Sequence, residues 1–315
     1  MPINPVPIGK EAINQHSKNK IVEQQKEKNS MEFLISEPMY QFSDMVMDES
    51  LHSAIVDAIS MFQYQDKVFV EWNLARVIKR PINLCINFYG ESGTGKTMAA
   101  NAVAYELGLR ILRVNYADIE SKYVGETSKN LVKMFDEAQK KNVLILFDEA
   151  DALLSKRVTD MSSATDVSVN QTRSVLLTLL DSFKGIVIFT TNFISNYDSA
   201  FMRRIPYHIK FGLPQENTRI ELLKHYLTDT VPNNILISDV AKRFEGISGC
   251  DIANATVIAA LKTARMHGNI MQQSDFEDAL ENIIKSKKEN QGKSVKVETK
   301  EVTEEFAMKQ LGRKD

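Results

Sequence analysis

One short stretch limits the possible folds more than any other part of the chain. The apolar run Leu84-Cys85-Ile86-Asn87-Phe88-Tyr89 leads straight into Gly90-Glu91-Ser92-Gly93-Thr94-Gly95-Lys96-Thr97. The run reads as a buried strand, and Lys96 to Leu107 reads as a helix. Glycines at 90, 93 and 95 let the intervening backbone turn tightly with its N–H groups pointing inward. Strand, tight turn and helix in that order open a crossover between parallel strands. The alternation then continues. Ile111 to Val114 is a second strand, followed by a helix near Ser128 to Lys140. Val143-Leu144-Ile145-Leu146-Phe147 is a third, followed by a helix at about Val169 to Ser182. Ile186-Val187-Ile188-Phe189-Thr190 and Tyr207 to Phe211 are the fourth and fifth. The expected fold is α/β, a five-stranded parallel sheet covered on both faces, with its functional edge at the carboxyl ends of the strands.

The flanking segments read differently. Residues 1–40 are polar, with Lys18, Lys20, Lys26 and Lys28 among Glu and Gln, and are expected to form a flexible arm. Asp48 can cap a helix with Leu51, Ile55, Ala58, Ile59 and Phe62 on one face. After Pro214 only helical patterns remain: Arg219 to Leu227, Ser238 to Phe244, Asp251 to Met266 and Ser274 to Ser286. The expected organisation is therefore an arm at 1–40, a large α/β domain at 41–213, a small α-helical lid domain at 214–287 and a charged tail at 288–315.

Composition narrows the setting. Hydrophobic residues make up 43% and charged residues 25%, with a net charge of −2. That is an ordinary soluble mixture, without the basic excess of a general nucleic-acid binder. Cys85 and Cys250 lie far apart and form no CxxC, which suits free thiols in a reducing compartment. No apolar run is long enough to span a bilayer, and Met1 to Lys10 has no apolar core of a leader. A cytoplasmic protein without a membrane partner is the expectation.

The strand-ending motifs carry the chemistry. The backbone N–H groups of Gly90, Glu91, Ser92, Gly93, Thr94 and Gly95 can cradle phosphates at a helix N-terminus, where the helix dipole favours anions. Lys96 can reach the β- and γ-phosphates of ATP, Thr97 can hold Mg²⁺ through its hydroxyl, and Met98 completes the nucleotide-contacting set. Directly after the third strand stands Asp148-Glu149-Ala150-Asp151. Asp148 is placed to face Mg²⁺, and Glu149 to polarise an attacking water. Thr190-Thr191-Asn192 ends the fourth strand, where Asn192 can orient water or sense the γ-phosphate.

Taken in order, GESGTGKT, LILFDEAD, TTN and Asp198-Ser199-Ala200-Phe201-Met202-Arg203-Arg204 resemble the classical clade of AAA ATPases from about residue 40 to 286. The resemblance implies that Arg203 and Arg204 are arginine fingers, completing the site of a neighbouring copy in a homo-oligomeric ring, usually a hexamer. It implies that Gly246-Ile247-Ser248-Gly249-Cys250-Asp251-Ile252 packs by the adenine, without a second sensor arginine. Val46 and Met47 match the linker that touches adenine in relatives.

The resemblance also suggests a client. Lys122, Tyr123 and Val124, in Ser121-Lys122-Tyr123-Val124-Gly125-Glu126-Thr127, match an aromatic pore loop that grips extended polypeptide. A second pore loop would fall between Lys156 and Asn170, where the residues match no pattern. None of His16, His52, His208, His225 or His267 precedes Glu, so the HExxH zinc site of the membrane proteases is missing. The end Gly312-Arg313-Lys314-Asp315 lacks the hydrophobic-Tyr-X tail of proteasomal ATPases. The finger segment is much like that of tail-anchored-protein extractors, but no membrane helix precedes it. About 40 polar residues leave little room for the adaptor domains of katanin, spastin or the ESCRT disassembly ATPase. The expected function is ATP-driven remodelling of a protein client, engaged directly or through an adaptor, with the bacterial HORMA remodellers among the candidate relatives. The alternatives are a nucleic-acid-directed loader or transposition helper, and an ATP-dependent scaffold that does not thread.

Overall fold

The computed structural model describes residues 33–78, 83–115, 127–155, 164–192 and 197–291. They fall into two compact units that divide between Thr218 and Arg219.

The first unit is built on a sheet of β1 (Ile35–Ser36), β2 (Leu84–Gly90), β3 (Ile111–Asn115), β4 (Leu144–Asp148), β5 (Ile186–Thr191) and β6 (Tyr207–Phe211). Their spatial order is β1-β3-β4-β5-β2-β6. The five long strands pair in parallel, as the alternation with helices requires. The sixth strand is an addition: β1 pairs antiparallel with β3, Ile35 opposite Leu112 and Ser36 opposite Ile111. It comes from the segment expected to be an arm. A two-residue strand has no room for a period-two pattern, so the sequence carries no sign of it.

The strands alternate their side chains between two apolar layers. Leu84, Ile86, Phe88, Leu144, Leu146, Ile186 and Ile188 face one cluster, shared with α1 (Glu49–Gln63) and α2 (Lys96–Glu106). Cys85, Ile145, Phe147, Val187 and Phe189 face the other, shared with α3 (Thr127–Lys141) and α5 (Ala164–Ser182). Phe147 and Phe189 stack there with ring centroids 5.1 Å apart. This two-sided burial explains why β4 and β5 are buried at every position, with no polar-facing side. Between β4 and α5 lies the single turn α4 (Asp151–Leu154), and before β6 the single turn α6 (Ser199–Met202).

Asp48 is the N-cap residue of α1, and Ile55, Ala58 and Ile59 are that helix's buried face. The Asp48 side chain makes no capping bond. It accepts a hydrogen bond from the Thr218 hydroxyl instead.

The second unit is helical. It takes in most of α7 (Glu216–Tyr226), then α8 (Ile237–Arg243), α9 (Gly249–Arg265) and α10 (Gln273–Gln291). Its core includes Leu223, Val240, Ile252, Ala255, Ala259, Phe276 and Leu280. Ser248 and Asp251 form a reciprocal capping box at the start of α9, and Lys287 on α10 bonds the same Asp251 carboxylate at 2.6 Å. Arg243 ties α8 to α10 through Glu277 and Glu281.

Candidate active site

The carboxyl ends of β2, β4 and β5 bring Lys96, Thr97, Asp148 and Asn192 into one cluster. Each arrives there for a local reason. Gly90 ends β2 with φ 145°, and a Cβ at that position would overlap the Phe211 carbonyl oxygen of neighbouring β6. Only glycine lets the chain leave the sheet this close to its neighbour. Gly93 and Gly95 also have positive φ, 79° and 96°. The loop therefore turns back, and α2 starts at Lys96 with Gly95 as its N-cap. Thr94 fastens the turn by donating its hydroxyl to the Glu91 carbonyl at 2.8 Å.

Lys96 is buried, and its ammonium donates to the carbonyls of Gly90 at 2.7 Å and Glu91 at 2.8 Å and to Asn192 Oδ1 at 3.2 Å. Burial pulls its pKa below the ordinary value of 10.5, against the opposing pull of Asp151, Asp148, Glu149 and Glu91. The next side chain, Thr97, donates to Asp148 Oδ1 at 2.9 Å, and Thr190 donates to the same oxygen at 2.5 Å. The other carboxylate oxygen pairs with the Arg113 guanidinium. Burial by itself would raise the Asp148 carboxyl; hydrogen bonds from Thr190, Thr97 and Arg113 outweigh it and hold the carboxyl below its ordinary range.

The neighbouring acids divide their work. Glu149 is exposed, with φ 54°, and its N–H donates to Thr190 Oγ1 at 3.1 Å. Asp151 turns back to accept the Asn192 N–H on both oxygens, at 3.0 and 3.2 Å. Asn192 is thus fixed through its backbone by Asp151 and through its side chain by Lys96. Mg²⁺ suits the donor set: the Thr97 hydroxyl and the Asp148 carboxylate, both oxygen ligands, converge beside an anion-binding loop.

Arg203 and Arg204, expected to act alike, differ. Arg203 is exposed, and among the described residues no hydrogen bond or ion pair joins its side chain. Arg204 grips Asp181 on α5 with two bonds of 2.8 and 2.7 Å and reaches the Ala200 carbonyl at 3.1 Å. Asp198 caps α6 ahead of them by accepting the Ala200 N–H. Lys122, Tyr123 and Val124 lie outside the described residues, as do positions 156–163 of the second expected pore loop. Met98 follows Thr97 on α2 and is half-buried. On the linker, Met45 and Met47 pack on the apolar cluster of α1 and α2, and Met45 Cε lies 3.5 Å from where a Cβ of Gly95 would sit.

Three features escaped the sequence. Arg113 and Asp181 belong to no sequence motif, so nothing there singles them out. The third is a buried polar group in which Thr191 donates to Asn87 at 3.2 Å and the Tyr197 phenol donates to Thr191. Strand register brings Asn87 beside β5, opposite Phe189, and Tyr197 reaches Thr191 from the segment bridged to Ser155.

Comparison with known proteins fits this geometry. Residues 86–213 match the family described as ATPase family associated with various cellular activities (AAA). The ATPase family gene 2 protein of Schizosaccharomyces pombe is 34% identical over 220 residues, 63% of this chain and 27% of its own length. The ATP-dependent zinc metalloprotease FtsH 2 of a Thermoanaerobacter species is 34% identical over 207 residues, 63% of this chain and 40% of its own. The proteasome-activating nucleotidase of Methanopyrus kandleri is 32% identical over 212 residues, 65% of this chain and 48% of its own. The chain thus spans between about a quarter and a half of the length of these relatives. No helix among the described residues is long and apolar enough to cross a membrane.

Proposed function

We propose, from the AAA ATPase domain that this chain carries, that it hydrolyses ATP to remodel a protein client. The observation that carries this reading is the convergence of Lys96, Thr97, Asp148 and Asn192 around one glycine-rich loop. Lys96, whose ammonium meets the Gly90 and Glu91 carbonyls, would bind phosphate oxygens together with the N–H groups of the glycine-rich loop. Thr97 and Asp148 would hold Mg²⁺, which would neutralise charge on the phosphates. Glu149, exposed beside Asp148, accepts the proton of the attacking water, and Asn192 orients that water while Asp151 holds its backbone.

The rest of the cycle needs a second copy. Arg203 has no partner among the described residues of its own chain, which suits an arginine that stabilises transition-state charge in a neighbour. Arg204, tied to Asp181, sets the finger segment against α5. A homo-oligomeric ring follows from this division of labour, with six copies the number that the sequence resemblance implies. Tyr123, flanked by Lys122 and Val124, grips the client. The names of two relatives, a proteasome-activating nucleotidase and an ATP-dependent protease, support a protein client over nucleic acid.

The test is a trap. Glu149→Gln binds ATP without turning it over and retains its client, identified by mass spectrometry after incubation in lysate of the source cell. A protein held by the trap and lost when Tyr123→Ala is added supports threading. Retention of nucleic acid, or of the same partners without Tyr123, overturns it.

A further inference from the structure

We infer that Arg113 is a gate on the cation site, a built-in counter-ion that occupies the Asp148 carboxylate until Mg²⁺ displaces it. This rests on the nucleotide reading above. The Asp148 side chain is only 10% exposed, and each of its oxygens already has a donor: Thr97 and Thr190 on Oδ1, Arg113 on Oδ2. Thr97 and Thr190 are neutral and can stay beside a cation. Arg113 cannot. Its guanidinium sits on Oδ2 of the same carboxylate that a dication would share beside Thr97, so the two positive charges compete for one carboxylate and repel across it.

Strand register explains the reach. On β3, Asn115 stands opposite Asp148 and Arg113 opposite Leu146, so the Arg113 side chain runs forward along the sheet edge to the carboxylate. Its side chain is 60% exposed, so it can swing into water at little cost. The contact therefore sets a threshold for the cation and does not bar it. The arrangement also has a use before nucleotide arrives. Asp148, Glu149, Asp151 and Glu91 all act on Lys96, and four carboxylates around one ammonium leave excess negative charge facing an incoming anion. Arg113 offsets part of that charge while the phosphates are absent and is redundant once Mg²⁺ is in place.

The experiment titrates a fluorescent ADP analogue into the full chain over a series of Mg²⁺ concentrations, starting in EDTA. It compares the wild type with R113Q and R113K. R113Q is expected to lower the Mg²⁺ concentration for half-maximal binding by about three- to fivefold, the range of a half-exposed ion pair. R113K keeps the charge and should stay near the wild type. Circular dichroism checks folding, and R113M, which keeps the apolar stem, gives the same readout should R113Q unfold. An unchanged Mg²⁺ requirement in the charge-removing variant overturns the gate. So does an equal loss of ADP affinity with and without Mg²⁺, which would make Arg113 a phosphate ligand. A wild-type chain that binds no ADP at any Mg²⁺ concentration defeats the nucleotide reading itself, a result distinct from either.

Discussion

Arg204 is held to Asp181 by two parallel hydrogen bonds of 2.8 and 2.7 Å, whereas Arg203, its neighbour in sequence, is exposed. A guanidinium held in a fork has committed its paired donors to a carboxylate, and a free one keeps all five for a phosphate. Arg203→Ala should therefore lower ATP turnover by about a thousandfold, the lower end of what an arginine finger contributes. Affinity for a fluorescent ADP analogue should change little. Arg204→Ala should act first on stability, by at most about 1 kcal/mol in urea unfolding, because the pair is partly exposed. Phosphate release at the wild-type rate in Arg203→Ala would remove Arg203 from the reaction.

Gly90 is the least replaceable residue of the phosphate loop. Its φ of 145° is closed to L side chains, and a Cβ would overlap a backbone oxygen of β6 that cannot swing aside. Gly90→Ala should cost more than about 3 kcal/mol, combining strain with overpacking. Gly95→Ala meets only Met45 Cε at 3.5 Å, so its penalty comes from φ alone and should be smaller. Equal urea midpoints for the two variants would contradict this.

How much of this was legible in the sequence depends on the range of each interaction. Apolar runs announced β4 and β5 because a strand buried on both faces needs an apolar pattern along its length, as Leu144 to Phe147 shows, whereas β6 is only partly buried and carries His208 and Lys210. The loop from Gly90 to Thr97 was legible because backbone geometry and chemistry constrain the same consecutive residues. The strand β1 was not, since two residues hold no period. Arg113 and Asp181 were not legible either. Their partners lie 35 and 23 residues away, and an isolated charge gives no sign of which distant carboxylate or guanidinium it will meet.

The buried polar group behind the finger segment should be sensitive to a single oxygen. The Tyr197 phenol donates to Thr191, which precedes Asn192, and Asn87 joins both. Burial pushes the phenol pKa up to about 12, so it remains a neutral donor. Tyr197→Phe takes the donor from Thr191 Oγ1 and the acceptor from the Asn87 side-chain N–H, and should cost about 1–3 kcal/mol in urea unfolding. A variant as stable as the wild type would mean that the phenol adds nothing to holding Thr191.

Lys96 should make the nucleotide-free chain respond to alkaline pH. Burial holds its folded-state pKa below 10.5, so the unfolded chain binds this proton more tightly. Keeping Lys96 charged therefore opposes folding near neutrality. That penalty shrinks as pH rises through the folded value and is gone above 10.5. The stability of the wild type relative to Lys96→Met should thus improve as the pH rises through the folded-state value toward 10.5. A difference that stays constant over this range would show that loop carbonyls and nearby carboxylates compensate Lys96 fully.

Glu149 combines strain with its proposed chemistry. Its φ of 54° lies in the left-handed region, which costs a residue with a Cβ about 1–2 kcal/mol. Its exposed side chain makes no hydrogen bond among the described residues that would repay this; only its N–H is engaged, by Thr190. Glu149→Gly removes both the strain and the carboxylate. It should raise stability by up to about 1 kcal/mol, since the extra freedom of glycine in the unfolded chain takes back part of the gain. It should also abolish turnover while leaving ATP binding intact. Glu149→Gln, with the strain retained, should lose turnover without becoming more stable. If Glu149→Gly were the less stable of the two, the left-handed turn would be maintained by contacts of the Glu149 side chain, and its strain could not be assigned to catalysis.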